Sequence, residues 1–278
     1  MTAGKRHHFV PEMLQKRFAD AEGMLHFARK SGNGVKLGRA VPGNLFVEQY
    51  LYSVIHDDDT KDSSLESALN KLETATETIV EKIVSSARKD QIPHLSDEQR
   101  STFNLFFHIQ WKRVPDLYAS DAAKASIDQT FKETLDAARA KFPDKEDEIA
   151  QLMEDKEKAR LFKNAQVGVV GSISERVLDV LGNRGLAVMK VGQRGKSFIL
   201  GSRPVVKMGN QSLYHPDGEL WLPIAPDIAV GVHNFEVREQ LLYLRDPHIR
   251  RINSAIVSQS SMFAGPHAPL IASLARPR

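Results

Sequence analysis

The chain has 278 residues, of which 41% are hydrophobic and 26% charged, and its formal net charge is +3. That apolar content over that length supports one large core or two smaller ones and excludes a disordered protein. Cysteine is absent, which removes disulfides, thiolate nucleophiles and sulfur-based zinc sites, so any metal has to sit on His, Asp or Glu.

No stretch reaches the roughly 18 uninterrupted apolar residues that a membrane span needs, and the opening MTAGKRHHFV has basic residues with no apolar signal region behind them. A cytoplasmic protein with no membrane partner is expected. The charge is unevenly spread. Lys and Arg outnumber Asp and Glu by 8 to 4 over residues 1–56 and by 14 to 8 over 163–278, whereas 57–162 has 16 cations against 23 anions. Basic ends around an acidic middle suit an anion-binding face for phosphate or nucleic acid, or ends and middle that neutralise one another across a contact.

Residues 8–20 begin extended, because the residue before Pro11 is pushed toward β, and continue as a short helix with Leu14 and Phe18 spaced i, i+4. Residues 24–30 alternate like a strand, 31–38 form a glycine-rich turn or loop, and the aromatic, β-branched run 45–54 predicts a second strand. Apolar or small residues at 65, 69, 72, 76, 79 and 83 make the stripe of an amphipathic helix. A second helix starts at Ser96, a capping residue, and runs to a stop near Val114-Pro115. Helices are also expected over 120–141, over the charged stretch 145–162, and near 165–182. Short β-rich runs then follow between Gly and Pro, a C-terminal helix covers 247–263, and the tail after Pro269 is expected to be poorly ordered. The reading is α+β: one domain, strand-rich over 1–56 and 183–235 and helical over 57–182, with a helical bundle against a small mixed or antiparallel sheet built from both ends.

His7-His8-Phe9-Val10-Pro11, followed by Leu14 and Arg17-Phe18, resembles the opening motif of the DUF4238 family of bacterial proteins of unknown function. The resemblance continues through Asn44, Glu48 and Tyr52, the helix bearing Glu66 and Glu73, and a Gln110, Arg113, Pro115 helix ending. It extends to the segment SFILGSRPVV. Where the family usually has Ser-Asp-x-Pro, this chain has Ser202-Arg203-Pro204. A base replaces an acid there, so a proton-transfer or metal role for that acid is either missing or passed to another carboxylate.

His7 and His8 are imidazoles suited to base or metal-ligand work near neutral pH, but adjacent side chains in an extended segment point to opposite faces, so only one addresses a given site. Glu66 and Glu73 are seven residues apart and share a helix face with Glu77 one turn on; they suit proton transfer or a divalent ion beside a histidine, or else pair with Lys71 and Lys82 on the surface. Asn104 with His108, and Gln110 with Arg113, mark polar positions on an otherwise aromatic helix. Arg113 can pair with a carboxylate or grip a phosphate. Asp57-Asp58-Asp59 lacks calcium-loop spacing and reads as a solvated loop.

Two functions are expected in competition. In the first, the chain is a hydrolase of phosphodiesters, a metal-dependent nuclease in bacterial defence or as a toxin. His7, His8, Glu66, Glu73 and His108 are its catalytic groups, Gln110, Arg113, Ser202 and Arg203 hold phosphate, and a divalent ion on His and Glu is its cofactor. In the second, it is a non-catalytic regulatory protein that binds nucleic acid or protein, and the same motifs are contacts that define the fold.

Overall fold

The computed structural model describes residues 5–32, 34–118, 121–152, 154–233 and 237–276. The chain opens with β1 (Arg6–His8), α1 (Glu12–Arg17), β2 (Leu25–Ser31), β3 (Gly34–Ala40), β4 (Val47–Gln49), β5 (Val54–Ile55) and β6 (Lys61–Asp62). The helical middle is α2 (Ser64–Arg88), α3 (Asp97–Lys112), α4 (Asp121–Lys141), α5 (Glu146–Gln151), α6 (Asp155–Gly171) and α7 (Glu175–Asn183). The last third holds β7 (Gly185–Val191), β8 (Leu200–Gly201), β9 (Val206–Met208), β10 (Glu219–Ala225), β11 (Ile228–His233), β12 (Glu239–Leu244), α8 (Asp246–Gln259), β13 (Met262–Gly265) and α9 (Ala268–Leu274).

The architecture is α+β. Two larger sheets carry the strands: a five-stranded one in the order β12-β7-β11-β10-β9, and a four-stranded one in the order β3-β2-β13-β8 that joins the two ends of the chain. Strand β12 runs parallel to β7 and the other pairs are antiparallel. The apolar stripe of α2 (Leu69, Ile79, Ile83 and Ala87 among it) is buried and packs on α3 and on β7 and β10 of the larger sheet. Helix α3 begins at the capping box that Ser96 announces, its hydroxyl accepting the Gln99 N–H while the Gln99 side chain receives the Ser96 N–H.

Several expectations shift. The glycine-rich segment after Ser31 is a strand, β3, paired residue by residue with β2. Its side chains Val35 and Leu37 stay exposed, so it is held by the backbone ladder and leaves no hydrophobic period to read. The aromatic run 45–54 yields the three residues of β4 and the first residue of β5, with Phe46 and Tyr50 bounding β4 at φ of 53° and 54°. The helix expected near 165–182 is two helices, with Ser174 capping α7. Helix α8 stops at Gln259 to release β13, whose Phe263 and Ala264 are fully buried. The tail holds α9, with Pro269 in its first turn where no N–H is needed, and its Ile271 is buried.

Ion pairs cross the composition boundaries: Arg17 meets Glu81 at 2.9 Å and Arg238 meets Asp97 at 2.7 Å. Basic ends and acidic middle therefore neutralise one another in part. Arg160 and Lys156 pair with Asp57 and Asp59, which accounts for the acidic loop. Among the described residues, no helix is long and apolar enough to cross a membrane.

Candidate functional site

Pairing of β1 with β4 sets Arg6 opposite Gln49, His7 opposite Glu48 and His8 opposite Val47. Alternation along β1 then separates the two histidines. His7 is fully buried: its Nδ1 accepts the Tyr52 N–H at 2.9 Å, its ring stacks on Tyr52 with centroids 5.8 Å apart, and Tyr50 meets it edge-on. His8 turns the other way and bonds through Nε2 to the Gly43 carbonyl at 2.9 Å. The left-handed backbone at Phe46 and Tyr50 costs these residues on the order of 1 kcal/mol each and swings the tyrosines around His7.

Helix α2 brings two carboxylates to this place. Glu66 is buried, with Oε2 3.8 Å from His7 Nδ1, and that oxygen has no hydrogen-bond partner. Burial raises the Glu66 carboxyl from its ordinary 4.5 to about 7; Arg113 opposes the rise and Glu73 adds to it. Glu73, two turns on, accepts from Arg113 Nη1 at 2.6 Å. Arg113, at the C-cap of α3, is 3% exposed and has further partners: Nε donates to the Tyr52 hydroxyl at 3.3 Å and Nη2 to the His8 carbonyl, while the Tyr52 hydroxyl donates to the Arg113 carbonyl at 2.8 Å. Gln110 shares that helix face and donates to the Phe9 carbonyl at 2.7 Å. His7, Glu66, Glu73, Gln110 and Arg113 thus converge.

A cavity of about 220 Å³ opens beside them, lined by Glu48, Tyr52, Arg113, Tyr118, Lys163 and Gln166 among others. Burial raises the Glu48 carboxyl and lowers the Lys163 ammonium, and each partly compensates the other. Lys163 also donates to the Leu51 carbonyl at 2.5 Å. Nothing in the charged run of α6 distinguishes Lys163 from its neighbours, so its sequence position carries no signal for this cleft. Glu48 is marked in the sequence only by the family resemblance.

The other predicted site residues lie elsewhere. Two residues apart on an α-helix means about 200° around its axis, so His108 faces away from Gln110. Its Nε2 accepts the Ser174 N–H at 3.3 Å, its Nδ1 is buried without a partner, and burial, with Lys112 nearby, holds the imidazole down to about 4. His108 therefore does not join His7 and Glu66. Ser202 donates its hydroxyl to Asp116, which also accepts the N–H and hydroxyl of Ser261, each at 2.8 Å, and so pins the β8–β13 edge. Arg203, at the position of the expected acid, feels the charge of the same Asp116. Asn104 is a structural acceptor for Arg100 Nε at 3.0 Å. Among the described residues, no group of three or more His, Asp or Glu is arranged to hold a metal ion.

A family model described as a protein of unknown function, DUF4238, matches residues 6–264. No curated protein and no solved structure matches the chain.

Proposed function

This chain belongs to the DUF4238 family, and we propose that it is a phosphodiester hydrolase, a nuclease in class, whose proton-transferring group is Glu66. One observation carries the reading: the Glu66 Oε2 atom is buried and unpartnered 3.8 Å from His7, on a carboxyl held up to about 7. A carboxyl in that range both takes and returns a proton at neutral pH. As carboxylate it takes a proton from the water that attacks phosphorus; as acid it gives that proton to the departing oxygen, so one P–O bond forms and one breaks. His7 is a positioning residue, since its bond from the Tyr52 N–H fixes the tyrosine that touches Arg113. Arg113 is committed to Glu73, Tyr52 and His8, which leaves Lys163 as the cation beside the cleft.

The test is hydrolysis of an activated phosphodiester and of labelled DNA and RNA oligonucleotides, with divalent ions and with chelator, followed against pH. The expected profile has a limb near pH 7 that is absent in Glu66→Gln, a variant of nearly the same shape. Absence of cleavage under every condition, or full activity in Glu66→Gln, overturns the reading. Chelator sensitivity decides the metal separately.

A second reading rests on its own observation. The carbonyls of His8, Phe9 and Val10 each receive a buried or half-buried side-chain donor, from Arg113, Gln110 and Gln15. The motif is thereby tied to α1 and α3, as in a non-catalytic protein that binds nucleic acid or another protein through a surface the clasp supports.

A further inference from the structure

His108, Trp111 and Lys112 lie at i, i+3 and i+4 on α3 and therefore share the face turned away from Glu66. With Leu117, Arg203 and Lys207 they line a cavity of about 490 Å³. Three of these six side chains are cations. Among the described residues none of the three forms an ion pair: Lys112 donates to the Ser172 carbonyl, Lys207 to the Asn210 carbonyl at 3.3 Å, and the buried Arg203 Nε atom has no partner. Burial lowers both the Arg203 guanidinium and the Lys112 ammonium, so their charge is costly where it stands. Asp116 is the carboxylate whose charge Arg203 feels, and its oxygens accept from Ser202 and Ser261.

The cleft beside the C-terminus of α7 offers a contrast. It too gathers three cations, all arginines, but Arg100 and Arg184 spend guanidinium N–H groups on backbone carbonyls of residues 181, 184, 215 and 218 and thereby cap and brace the fold. At Arg203 the donors are unspent. His108, which also lines the cavity, adds a second mismatch, because accepting the Ser174 N–H leaves the proton of its neutral ring on Nδ1, a buried donor with nothing to receive it.

We propose that this cavity binds a phosphorylated planar small molecule, of the nucleotide class, with its phosphate on Arg203, Lys207 and Lys112 and its flat group against Trp111 and Leu117. A phosphate supplies the missing counter-charge and the acceptors that the guanidinium fork matches. The volume exceeds what a free phosphate fills, and the wall beyond the cations includes the aromatic Trp111 and aliphatic Leu117 beside His108, Gly209 and Gln259. The site does not depend on the Glu66 reading, since it lies on the other face of α3.

Titration of the intact protein with adenosine monophosphate, inorganic phosphate and adenosine tests this by calorimetry and by tryptophan fluorescence. The expected result is saturable binding of the nucleotide at millimolar or lower concentration, with a fluorescence change that Trp111→Phe removes and that buried Trp221 does not supply. Lys207→Glu, at the rim, is expected to weaken binding about tenfold or more, and Arg203→Met likewise. If Arg203→Met fails to fold, Lys207→Glu still decides. Equal affinity for inorganic phosphate and the nucleotide keeps the phosphate site and removes the nucleotide class. Failure of the nucleotide to bind, equal binding of adenosine, or affinity unchanged by Lys207→Glu in a folded protein overturns the proposal.

Discussion

The two faces of α3 treat buried charge in opposite ways. Toward α2 and β1, Arg113 is matched atom by atom, to Glu73, the Tyr52 hydroxyl and the His8 carbonyl, and Glu66 Oε2, with Gln110 Oε1, is left unmatched among the described residues. Toward β8 and α8, Arg203, Lys112 and Lys207 share a cavity without a carboxylate among its lining residues. A matched cluster holds structure and concentrates its chemistry on the group left over, whereas an unmatched one stores a cost that a ligand relieves.

That contrast breaks most sharply at the arginines. Arg113→Ala strands Glu73 and the His8 carbonyl in a buried place and is expected to destabilise the fold by about 3–5 kcal/mol in urea unfolding. Arg203→Ala leaves no partner stranded and is expected to cost less than about 1 kcal/mol. Equal losses would erase the distinction.

The next effect is pH-dependent. Glu66 has a folded value of about 7 against an unfolded value near 4.5, so the folded state binds the extra proton between them. Stability is therefore expected to fall as pH rises from about 4.5 to about 7, by about 2 kcal/mol once partial solvent access is allowed for, and to level off above. Glu66→Gln removes the charge from the buried position, so its unfolding midpoint should lose that slope and exceed the wild-type midpoint above pH 7. A slope retained in the variant would assign the titration to another group.

A further expected effect separates the two histidines. His8→Ala removes one half-buried bond to Gly43 and should cost about 1 kcal/mol. His7→Ala removes a fully buried ring, its stacking on Tyr52 and the acceptor for a buried N–H, and should cost about 2–4 kcal/mol. Thermal unfolding of both variants ranks them, and a reversed order would mean that the motif is pinned from its outer side.

Much of this arrangement is local, and local patterns are visible in a sequence. The cap at Ser96, the stripe of α2 and the opposed faces of His7 and His8 all follow from geometry within one element, whereas His108, grouped with His7 and Glu66 by residue type, is set apart from them in the structure. Where long-range pairing does the work, the residues are silent. Strand β3 exists because β2 lies beside it, although its own side chains bury almost nothing, and α9 forms over the four-stranded sheet in a tail that carries a proline and little polarity contrast.

By itself the sequence determined the α+β class, the helical middle and the family, and it singled out Glu66, Glu73 and Arg113 as candidate charges, with surface pairing of the two glutamates as the competing reading. Only the tertiary structure decided which charges meet. The β1–β4 register sets Glu48 opposite His7, the packing of α6 carries Lys163 to the same cleft, and the β8–β13 edge takes Arg203 to the far face of α3. A contact between distant elements depends on register and on the packing of what lies between them, and neither is encoded in the spacing of the residues that finally touch.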